Sequence, residues 1–332
     1  MNRIKINMNQ IKNKKVLITG GAGFIGSHLT KKLVELGAKV SVIVKYNSII
    51  DSPRLVRVWE KINVIEADLR NTDSVLEMKK MNFDLVFHLA AYNHVGDSFK
   101  HVFENVNSNL LSTVNLLNHG PKIKKLIHMG TSEIYGIQEV IPFNTKEKPN
   151  PMSPYGVTKY ASELFSLVKS KHTDLNLLCI RPFNTFGPYQ SEKAIIPEII
   201  LKCLQNKEIN TTAGKQTREF NYIENVINGI LFLDKKIKHS LDPINVGSNN
   251  PISIKDLVKR IHKYTDSGSK LSIGSIKYRP NEIWKMQANN KFIISKGWRP
   301  KINFDNGLKS TIKWYKNFYK LYLDKQGAFK QL

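Results

Sequence analysis

A tyrosine and a lysine four positions apart, Tyr155 and Lys159, have the clearest capacity for chemistry in this 332-residue sequence. Side chains at this spacing lie on one face of a helix. A nearby ammonium group lowers the pKa of a tyrosine, because its positive charge stabilises the tyrosinate. We therefore expect Tyr155 to act as a base that removes a proton from a hydroxyl group.

A hydroxyl and a carboxylate stand together in a second segment, 129–136, which directly follows a predicted strand at 125–129. In parallel sheets ligands bind beyond the carboxyl ends of the strands, which is where this segment begins. Thr131 is placed to hydrogen-bond the reacting hydroxyl beside Tyr155. Glu133 adds a carboxylate to the same cleft, so the two segments predict one catalytic site.

Three glycines at three-residue spacing, Gly20, Gly23 and Gly26, follow a predicted strand at 16–19 and open a predicted helix at 24–36. Such glycines allow a tight turn, let backbone N–H groups approach a pyrophosphate, and let the helix pack close to the strand. The N-terminus of the helix then favours the anionic phosphates. The segment therefore predicts a dinucleotide-binding turn.

The end of the second predicted strand, 40–44, bears on which dinucleotide binds. An acidic residue about 20 residues after the glycines would bind the ribose hydroxyls of NAD. This sequence has Val-Lys-Tyr-Asn at 44–47 instead, where Lys45 could meet a 2′-phosphate. A lysine that is simply solvated is the alternative. The expected cofactor is therefore NAD or NADP, and Lys45 favours NADP.

The remaining elements predict an α/β fold with a Rossmann-like, doubly wound parallel sheet. Short apolar runs alternate with amphipathic stretches through the first half of the chain, which is typical of strands covered on both faces. The later predicted strands are 64–67, 85–90, 125–129 and 175–181. Prolines then interrupt a looser pattern, in which helices are predicted at 195–205, 254–264 and 308–323.

This change of pattern predicts two domains. A dinucleotide-binding domain is expected at 1–183, with returning segments near 219–235. A smaller, mixed α/β substrate domain is expected at 184–332.

The composition bears on other classes of function. The net charge is +24, but the lysines are scattered, so we expect no specific nucleic-acid partner. A non-catalytic dinucleotide-binding regulator that uses this charge is the alternative. No apolar run reaches the roughly 20 residues that span a bilayer, and residues 1–15 lack the apolar segment of a secretory signal. Two cysteines exclude a disulfide framework and a cysteine-based zinc site, so we expect no metal and a cytoplasmic location.

The glycine spacing, the Tyr-x-x-x-Lys pair and the Thr-Ser-Glu segment together resemble the nucleotide-sugar branch of the extended short-chain dehydrogenase/reductase family. This resemblance covers almost the whole chain and implies a nicotinamide dinucleotide that is tightly bound and recycled. It implies that Asp68 contacts the adenine ring, while Lys159 can hold the nicotinamide ribose. The residues expected at the cofactor are Gly20, Gly23, Phe24, Ile25, Gly26, Lys45, Asp68, Leu69, Leu89, Ala90, Ala91, Asn109, Tyr155 and Lys159.

The same resemblance implies a nucleotide-sugar substrate and four residues that bind it. His94 lies in a segment that leads into the sugar site. Asn184 resembles a residue that meets the substrate diphosphate, and Arg218 resembles one that contacts the nucleotide. Arg279, which precedes Pro280, resembles a second phosphate-binding arginine. Guanidinium geometry suits bidentate contact with phosphate.

Members of this family commonly form dimers. The helices that meet in those dimers are the one after the fourth strand and the one that bears the tyrosine, here about 102–117 and 155–169. An isologous dimer is also the commonest oligomer in general, so we expect a homodimer.

Three related reactions of this family share oxidation at the sugar C4: 4-epimerisation, 4,6-dehydration and C6 decarboxylation. A dehydratase needs a base for the C5 proton and an acid for the departing C6 hydroxyl, whereas an epimerase only turns the ketone over. The Thr-Ser-Glu segment therefore favours a 4,6-dehydratase whose catalytic residues are Thr131, Ser132, Glu133, Tyr155 and Lys159. A 4-epimerase is the alternative, followed by a UDP-glucuronate-type decarboxylase.

The same segment bears on the sugar. It resembles the dehydratases that act on GDP-mannose or on UDP-N-acetylglucosamine. The dTDP-glucose dehydratases carry Asp at the position of Ser132, so dTDP-glucose is the less favoured substrate.

Overall fold

The computed structural model describes residues 11–45, 53–279 and 282–318. The chain divides into two compact units. The first comprises Met1–Gly136, Lys148–Pro182 and Ile230–Ile244, and the second comprises Ile137–Glu147, Phe183–Gly229 and Asn245–Leu332. The expected domains at 1–183 and 184–332 stay a prediction.

A seven-stranded sheet has its first six strands in the first unit. Its strands are β1 (Lys15–Thr19), β2 (Lys39–Val44), β3 (Ile62–Glu66), β4 (Leu85–His88), β5 (Lys125–Met129), β6 (Asn176–Pro182) and β7 (Ile244–Val246). They lie in the order β3-β2-β1-β4-β5-β6-β7, and the pairs among the first six are all parallel. The predicted Rossmann-like, doubly wound class is therefore confirmed. The direction of winding reverses between β1 and β4, which is where such sheets bind ligands.

The strand ends differ from the prediction by two residues at two places, for local reasons, and by at most one residue elsewhere. The fourth strand ends at His88 rather than at residue 90, because the N–H groups of Leu89 and Ala90 both donate to Thr19 Oγ1, at 3.1 Å each. The third strand begins at Ile62, and it is less buried than the others because it lies at the sheet edge.

The helices complete the two units. They are α1 (Phe24–Glu35), α2 (Thr72–Leu76), α3 (Val95–Ser98), α4 (Val102–Asn105), α5 (Ser112–His119), α6 (Pro154–Lys171), α7 (Ile195–Leu204), α8 (Ile223–Lys236), α9 (Ile254–Thr265), α10 (Lys291–Ser295) and α11 (Phe304–Phe318). Two 3₁₀ segments occupy Val56–Lys61 and Ser132–Ile134, and a π-helical segment occupies Val106–Leu111. The continuous helix expected at 102–117 is therefore three consecutive pieces. No helix in the described parts of the chain is long and apolar enough to cross a membrane.

The second unit is built on helices α7, α9 and α11, which pack on one another through apolar faces. Short strands accompany them at Thr185–Phe186, Ile209–Thr211, Thr217–Glu219, Asn221–Tyr222, Pro251–Ser253, Leu271–Ile273 and Lys285–Met286. In the first unit, Asn82–Phe83 pairs with Lys122–Ile123. Helix α11 begins four residues before the predicted start, whereas Tyr319 and Tyr322 of the predicted helix lie outside the described residues, as do Tyr46, Asn47 and Pro280.

Two histidines, His88 and His128, face each other as register partners on β4 and β5 in the core. The ring of His88 hydrogen-bonds Thr19 Oγ1 at 2.8 Å and Thr113 Oγ1 at 2.9 Å. The ring of His128 lies 3.2 Å from Ser166 Oγ. Burial is the main cause that lowers the pKa of His88 to about 3 and the pKa of His128 well below its ordinary value, so both rings are neutral at neutral pH.

The two histidines should make the fold sensitive to mild acid. An unfolded histidine takes up a proton near its ordinary pKa of 6.5, whereas His88 and His128 stay neutral in the folded protein. The unfolded state therefore binds more protons below pH 6.5, and stability falls as the pH drops. We expect the free energy of unfolding, measured by urea titration, to lose up to about 1.4 kcal/mol per pH unit for each histidine between pH 6 and 5. A His88→Gln/His128→Gln variant with the wild-type pH slope would contradict this.

Candidate active site

The glycine-rich turn brings three pieces of backbone into contact. Gly20 has a φ of +70°, and a Cβ there would lie 2.8 Å from the backbone nitrogen of Ala90. A Cβ on Gly26 would lie 2.1 Å from the carbonyl oxygen of Gly20. Helix α1 begins directly after the turn, with Gly23 as its N-cap residue. Any side chain at Gly20 or Gly26 would therefore clash with neighbouring backbone. The close packing of this turn requires glycine at both positions.

A cleft of about 220 Å³ lies at the carboxyl ends of β1, β2, β3 and β4. It brings together seven of the predicted cofactor residues, namely Gly20, Gly23, Lys45, Asp68, Leu69, Ala90 and Ala91. The other seven do not line it, namely Phe24, Ile25, Gly26, Leu89, Asn109, Tyr155 and Lys159. The glycines and the polar lining fit the pyrophosphate and adenosine parts of a dinucleotide.

Asp68 is held by a neighbour that the sequence analysis overlooked. The guanidinium of Arg70 donates to Asp68 Oδ2 at 2.6 Å and, on its other side, to both oxygens of Glu104 at 2.8 and 2.9 Å. Hydrogen bonding from Arg70 lowers the pKa of the Asp68 carboxyl. Arg70 lines the same cleft, and the Asp-x-Arg spacing was the only signal for it in the sequence.

Asn109 does not line the cleft, and its side chain instead hydrogen-bonds two other parts of the first unit. Its side-chain oxygen accepts the N–H of Tyr92 at 2.7 Å, and its amide donates to Thr158 Oγ1 at 2.9 Å. Thr158 belongs to α6, so Asn109 connects the segment after β4 with the helix that carries the candidate catalytic pair. The π-helical segment places this amide in the core, where it is 1% exposed.

The predicted catalytic residues come together at the ends of β5 and α6. Ser153 caps α6 by accepting the N–H of Gly156 at 3.1 Å, so the helix starts with Tyr155 in its first turn. Thr131 accepts the N–H of Glu133 at 3.2 Å and hydrogen-bonds the Tyr155 side chain. Glu133 is half-buried and close enough to raise the pKa of Tyr155. Ser132 is buried beside them.

The protein's own groups raise the pKa of Tyr155 to about 12. Burial is the main cause, the charge of Glu133 adds to the rise, and the hydrogen bond with Thr131 opposes both. Lys159 is not among the causes of this shift, and its Nζ donates to the carbonyl oxygen of Met129 at 2.5 Å. The protein's own groups therefore hold Tyr155 in its protonated form at neutral pH.

Lys159 is itself destabilised by its position. Burial lowers its pKa to about 8, and the carboxylate of Glu163, one helical turn further along α6, is the main opposing influence. Glu163 in turn accepts the guanidinium of Arg181 at 2.6 and 3.1 Å. The Arg181 guanidinium also lies 4.9 Å from the centre of the Tyr135 ring. This buried pair was not among the predicted site residues.

The predicted substrate residues are distributed over both units. His94 lies in the first unit, where its Nδ1 accepts the N–H of Asp97 at 3.0 Å. In the second unit, Asn184 donates to the carbonyl oxygen of Glu219 at 3.3 Å, and Arg218 pairs with Glu282 at 2.6 Å. Arg279 is exposed. Within the described ranges, no three His, Cys, Asp or Glu side chains form a group that could hold a metal ion.

The fold and the site define a class of protein. A doubly wound sheet with a glycine-rich turn after β1, and a Tyr–Lys pair on the helix after β5, is the arrangement of a short-chain dehydrogenase/reductase. Residues 17–311 match the family model described as GDP-mannose 4,6 dehydratase. The chain therefore belongs to this family, which lies in the nucleotide-sugar branch of the extended short-chain dehydrogenases/reductases.

Relatives with three different activities are similar to the chain. Human dTDP-D-glucose 4,6-dehydratase is 30% identical over 320 residues, which cover 92% of this chain and 91% of the human protein. UDP-glucuronic acid decarboxylase 1 of Xenopus tropicalis is 29% identical over 318 residues, which cover 93% of this chain and 74% of the relative. The structure of UDP-glucuronic acid 4-epimerase from Bacillus cereus, solved with UDP-glucuronic acid and NAD, matches with a TM-score of 0.83 and 27% identity, covering 92% of this chain and 100% of the epimerase chain.

The glycine turn gives a direct test of the site. In Gly26→Ala the new methyl group must displace the Gly20 carbonyl, so we expect the free energy of unfolding to fall by about 1–3 kcal/mol in urea titrations. The nucleotide retained through purification should fall in parallel. Gly268→Ala is the control, because its Cβ would meet nothing closer than 3.6 Å, and its change should stay within about 0.5 kcal/mol. Equal behaviour of the two variants would contradict the close approach.

Proposed function

We propose that this protein is a nucleotide-sugar 4,6-dehydratase that forms a 4-keto-6-deoxy nucleotide sugar. The observation that carries the proposal is the half-buried carboxylate of Glu133, which stands beside Tyr155 and Thr131 at the end of β5. A 4-epimerase has no need for a base at this place, whereas elimination of water across C5 and C6 requires one.

Oxidation at C4 is the first step of the proposed cycle. When bound, the nicotinamide would supply positive charge and accept the hydride that C4 loses, and the same hydride would be available for return to C6. Tyr155 receives the proton of the C4 hydroxyl. Thr131, which hydrogen-bonds Tyr155, orients the oxygen of Tyr155 and the C4 oxygen relative to each other. Because burial holds Tyr155 protonated by itself, its action as a base depends on that added charge. Lys159, anchored on Met129, is placed to hold the nicotinamide ribose.

Glu133 carries out the elimination. The new ketone at C4 acidifies the proton on C5, and Glu133 removes that proton. Glu133 then gives the proton to the C6 hydroxyl, which leaves as water and creates a double bond between C5 and C6. The hydride returned to C6, and the C4 hydroxyl proton that Tyr155 delivers to C5, complete the product. The sugar loses one water, and there is no net oxidation.

We propose NADP as the preferred cofactor. Lys45 lines the cleft where β2 ends, and Arg54 reaches the turn by donating to the carbonyl oxygen of Ala22 at 3.4 Å. Burial lowers the pKa of Lys31 on α1 to about 8, and the nearby charges of Arg57 and Arg54 contribute to this shift. This group of cations suits the additional phosphate of NADP.

We further propose a cytoplasmic location for the enzyme. Its two cysteines, Cys179 and Cys203, are both buried free thiols, which fits a reducing compartment.

We also propose an isologous homodimer built on two adjoining helical segments. Along 102–111 the apolar side chains of Val102, Phe103, Val106 and Leu111 are 44%, 84%, 37% and 38% exposed. Along α6 the side chains of Val157, Leu164 and Val168 are 51%, 41% and 54% exposed. Exposed apolar side chains grouped in this way mark an interaction surface. The hydrogen bond between Asn109 and Thr158 joins the two segments that carry them.

Replacement of Glu133 tests the reaction. In Glu133→Gln we expect oxidation at C4 to continue and water loss to slow by roughly a hundredfold or more. Mass spectrometry would follow UDP-N-acetylglucosamine, GDP-mannose, UDP-glucuronate and dTDP-glucose separately, with NADP or NAD added. Glu139→Gln removes an exposed carboxylate and should dehydrate at the wild-type rate.

Three results would contradict the proposed reaction. Full dehydration by Glu133→Gln would exclude Glu133 as the base. Loss of carbon dioxide by the wild-type protein would identify a decarboxylase. An unchanged mass with a changed sugar configuration would identify an epimerase.

Replacement of Phe103 tests the dimer. Light scattering coupled to size exclusion should give a dimer for the wild-type protein and a monomer for Phe103→Glu, because the new carboxylate cannot be buried against its symmetry mate. Phe292→Glu changes another exposed phenylalanine, on α10, and should remain dimeric. A monomeric wild-type protein, or a dimeric Phe103→Glu variant, would contradict the proposed interface.

A further inference from the structure

Arg70 is held in an unusually complete way for a side chain that lines a cleft. Its Nε lies 3.0 Å from each oxygen of Asp68, and its Nη2 donates to Oδ2 at 2.6 Å. On the opposite side, its Nη1 donates to both oxygens of Glu104. All three nitrogens of the guanidinium therefore point N–H groups at carboxylates, within the plane of the group.

The clamp on Arg70 is itself supported. Glu104 lies on α4, and its Oε1 accepts the hydroxyl of Ser108 at 2.7 Å. The backbone N–H of Arg70 donates to Asp68 Oδ1 at 3.0 Å. The orientation of the guanidinium plane is thus determined before any ligand binds, which reduces the entropy that a ligand contact would cost.

What remains available on Arg70 is the flat face of the guanidinium and one N–H of Nη2. The side chain is 34% exposed, and it lines the same cleft as Gly20, Lys45 and Asp68. A guanidinium binds phosphate bidentately through pairs of in-plane N–H groups, and the other N–H groups of Arg70 are engaged by Asp68 and Glu104. These two carboxylates also compensate the positive charge of Arg70, so Arg70 itself is a poor ligand for a phosphate. A guanidinium face stacks well on an aromatic ring.

We infer that Arg70 binds the dinucleotide by stacking its guanidinium face on the adenine ring. This inference rests on the proposed nicotinamide dinucleotide and adds a binding residue to that site. Asp68 and Glu104 act as positioning residues that hold the plane of Arg70. The adenine is thus recognised by its aromatic surface as well as by its polar edge.

Calorimetric titration of the full-length, nucleotide-stripped protein with ADP-ribose and inosine diphosphate ribose tests this assignment. Hypoxanthine lacks the amino group from which Asp68 would accept a hydrogen bond, but it keeps an aromatic face. We expect Arg70→Met to weaken both probes by the same factor, about five- to tenfold. Arg70→Lys should weaken both to a similar extent, because an ammonium has no planar face.

Two matched variants separate stacking from other causes. Asp68→Asn should weaken both probes, because it loosens the hold on the Arg70 guanidinium. It should weaken ADP-ribose more than the inosine probe, because it also alters the polar edge contact with adenine. Lys79→Met removes an exposed positive charge just beyond α2 and should leave both affinities unchanged. Adding a 2′-phosphate to ADP-ribose should not change the factor lost in Arg70→Met.

Three results would overturn the stacking contact. Wild-type affinity in Arg70→Lys would show that charge alone matters. An unchanged inosine-probe affinity in Arg70→Met would show that Arg70 acts only through Asp68. A loss confined to the 2′-phosphorylated probe would make Arg70 a phosphate ligand. Failure of the wild-type protein to bind any of these probes would instead overturn the dinucleotide site itself.

Discussion

A positive charge inside the core constrains the groups that surround it in the first unit. Lys159 is 3% exposed, and its ammonium is satisfied by the carbonyl oxygen of Met129 at the end of β5. Burial lowers the pKa of His88 and of His128, and the charge of Lys159 adds to this shift, so these two rings are neutral hydrogen-bonding groups. Glu163 supplies the compensating negative charge. An ammonium buried in this way is costly, so every group around it has to be complementary to it.

Much of the fold was predictable because its signals are local. The strand at Lys125–Met129 was predicted with its observed ends, and the glycine turn lies where the three-residue spacing indicated. Parallel strands that are covered on both faces read as short apolar runs, which makes them easy to recognise. The third strand was placed two residues late because it lies at the sheet edge, where its side chains are only partly buried.

The candidate site was less predictable, since its supporting contacts join residues that are distant in the sequence. Arg70 and Glu104 are 34 positions apart, and Arg218 and Glu282 are 64 apart. The spacing of apolar residues along the sequence gives no indication of such pairs. The rise in the Tyr155 pKa was not predictable for a related reason: the spacing of Tyr155 and Lys159 indicates a shared helix face, but it does not indicate how deeply Tyr155 is buried.

The π-helical segment at Val106–Leu111 has a consequence for how this family can vary. Its i→i+5 hydrogen bonds each enclose one residue more than the i→i+4 bonds of an α-helix. The extra residue is absorbed within the segment, so deleting a single residue there would restore regular α-helical winding and keep the helices on either side in register. The same deletion in the regular helix α6 would rotate everything on one side of it by about 100°. We therefore expect natural relatives to differ in length by one residue in this stretch more readily than in α6.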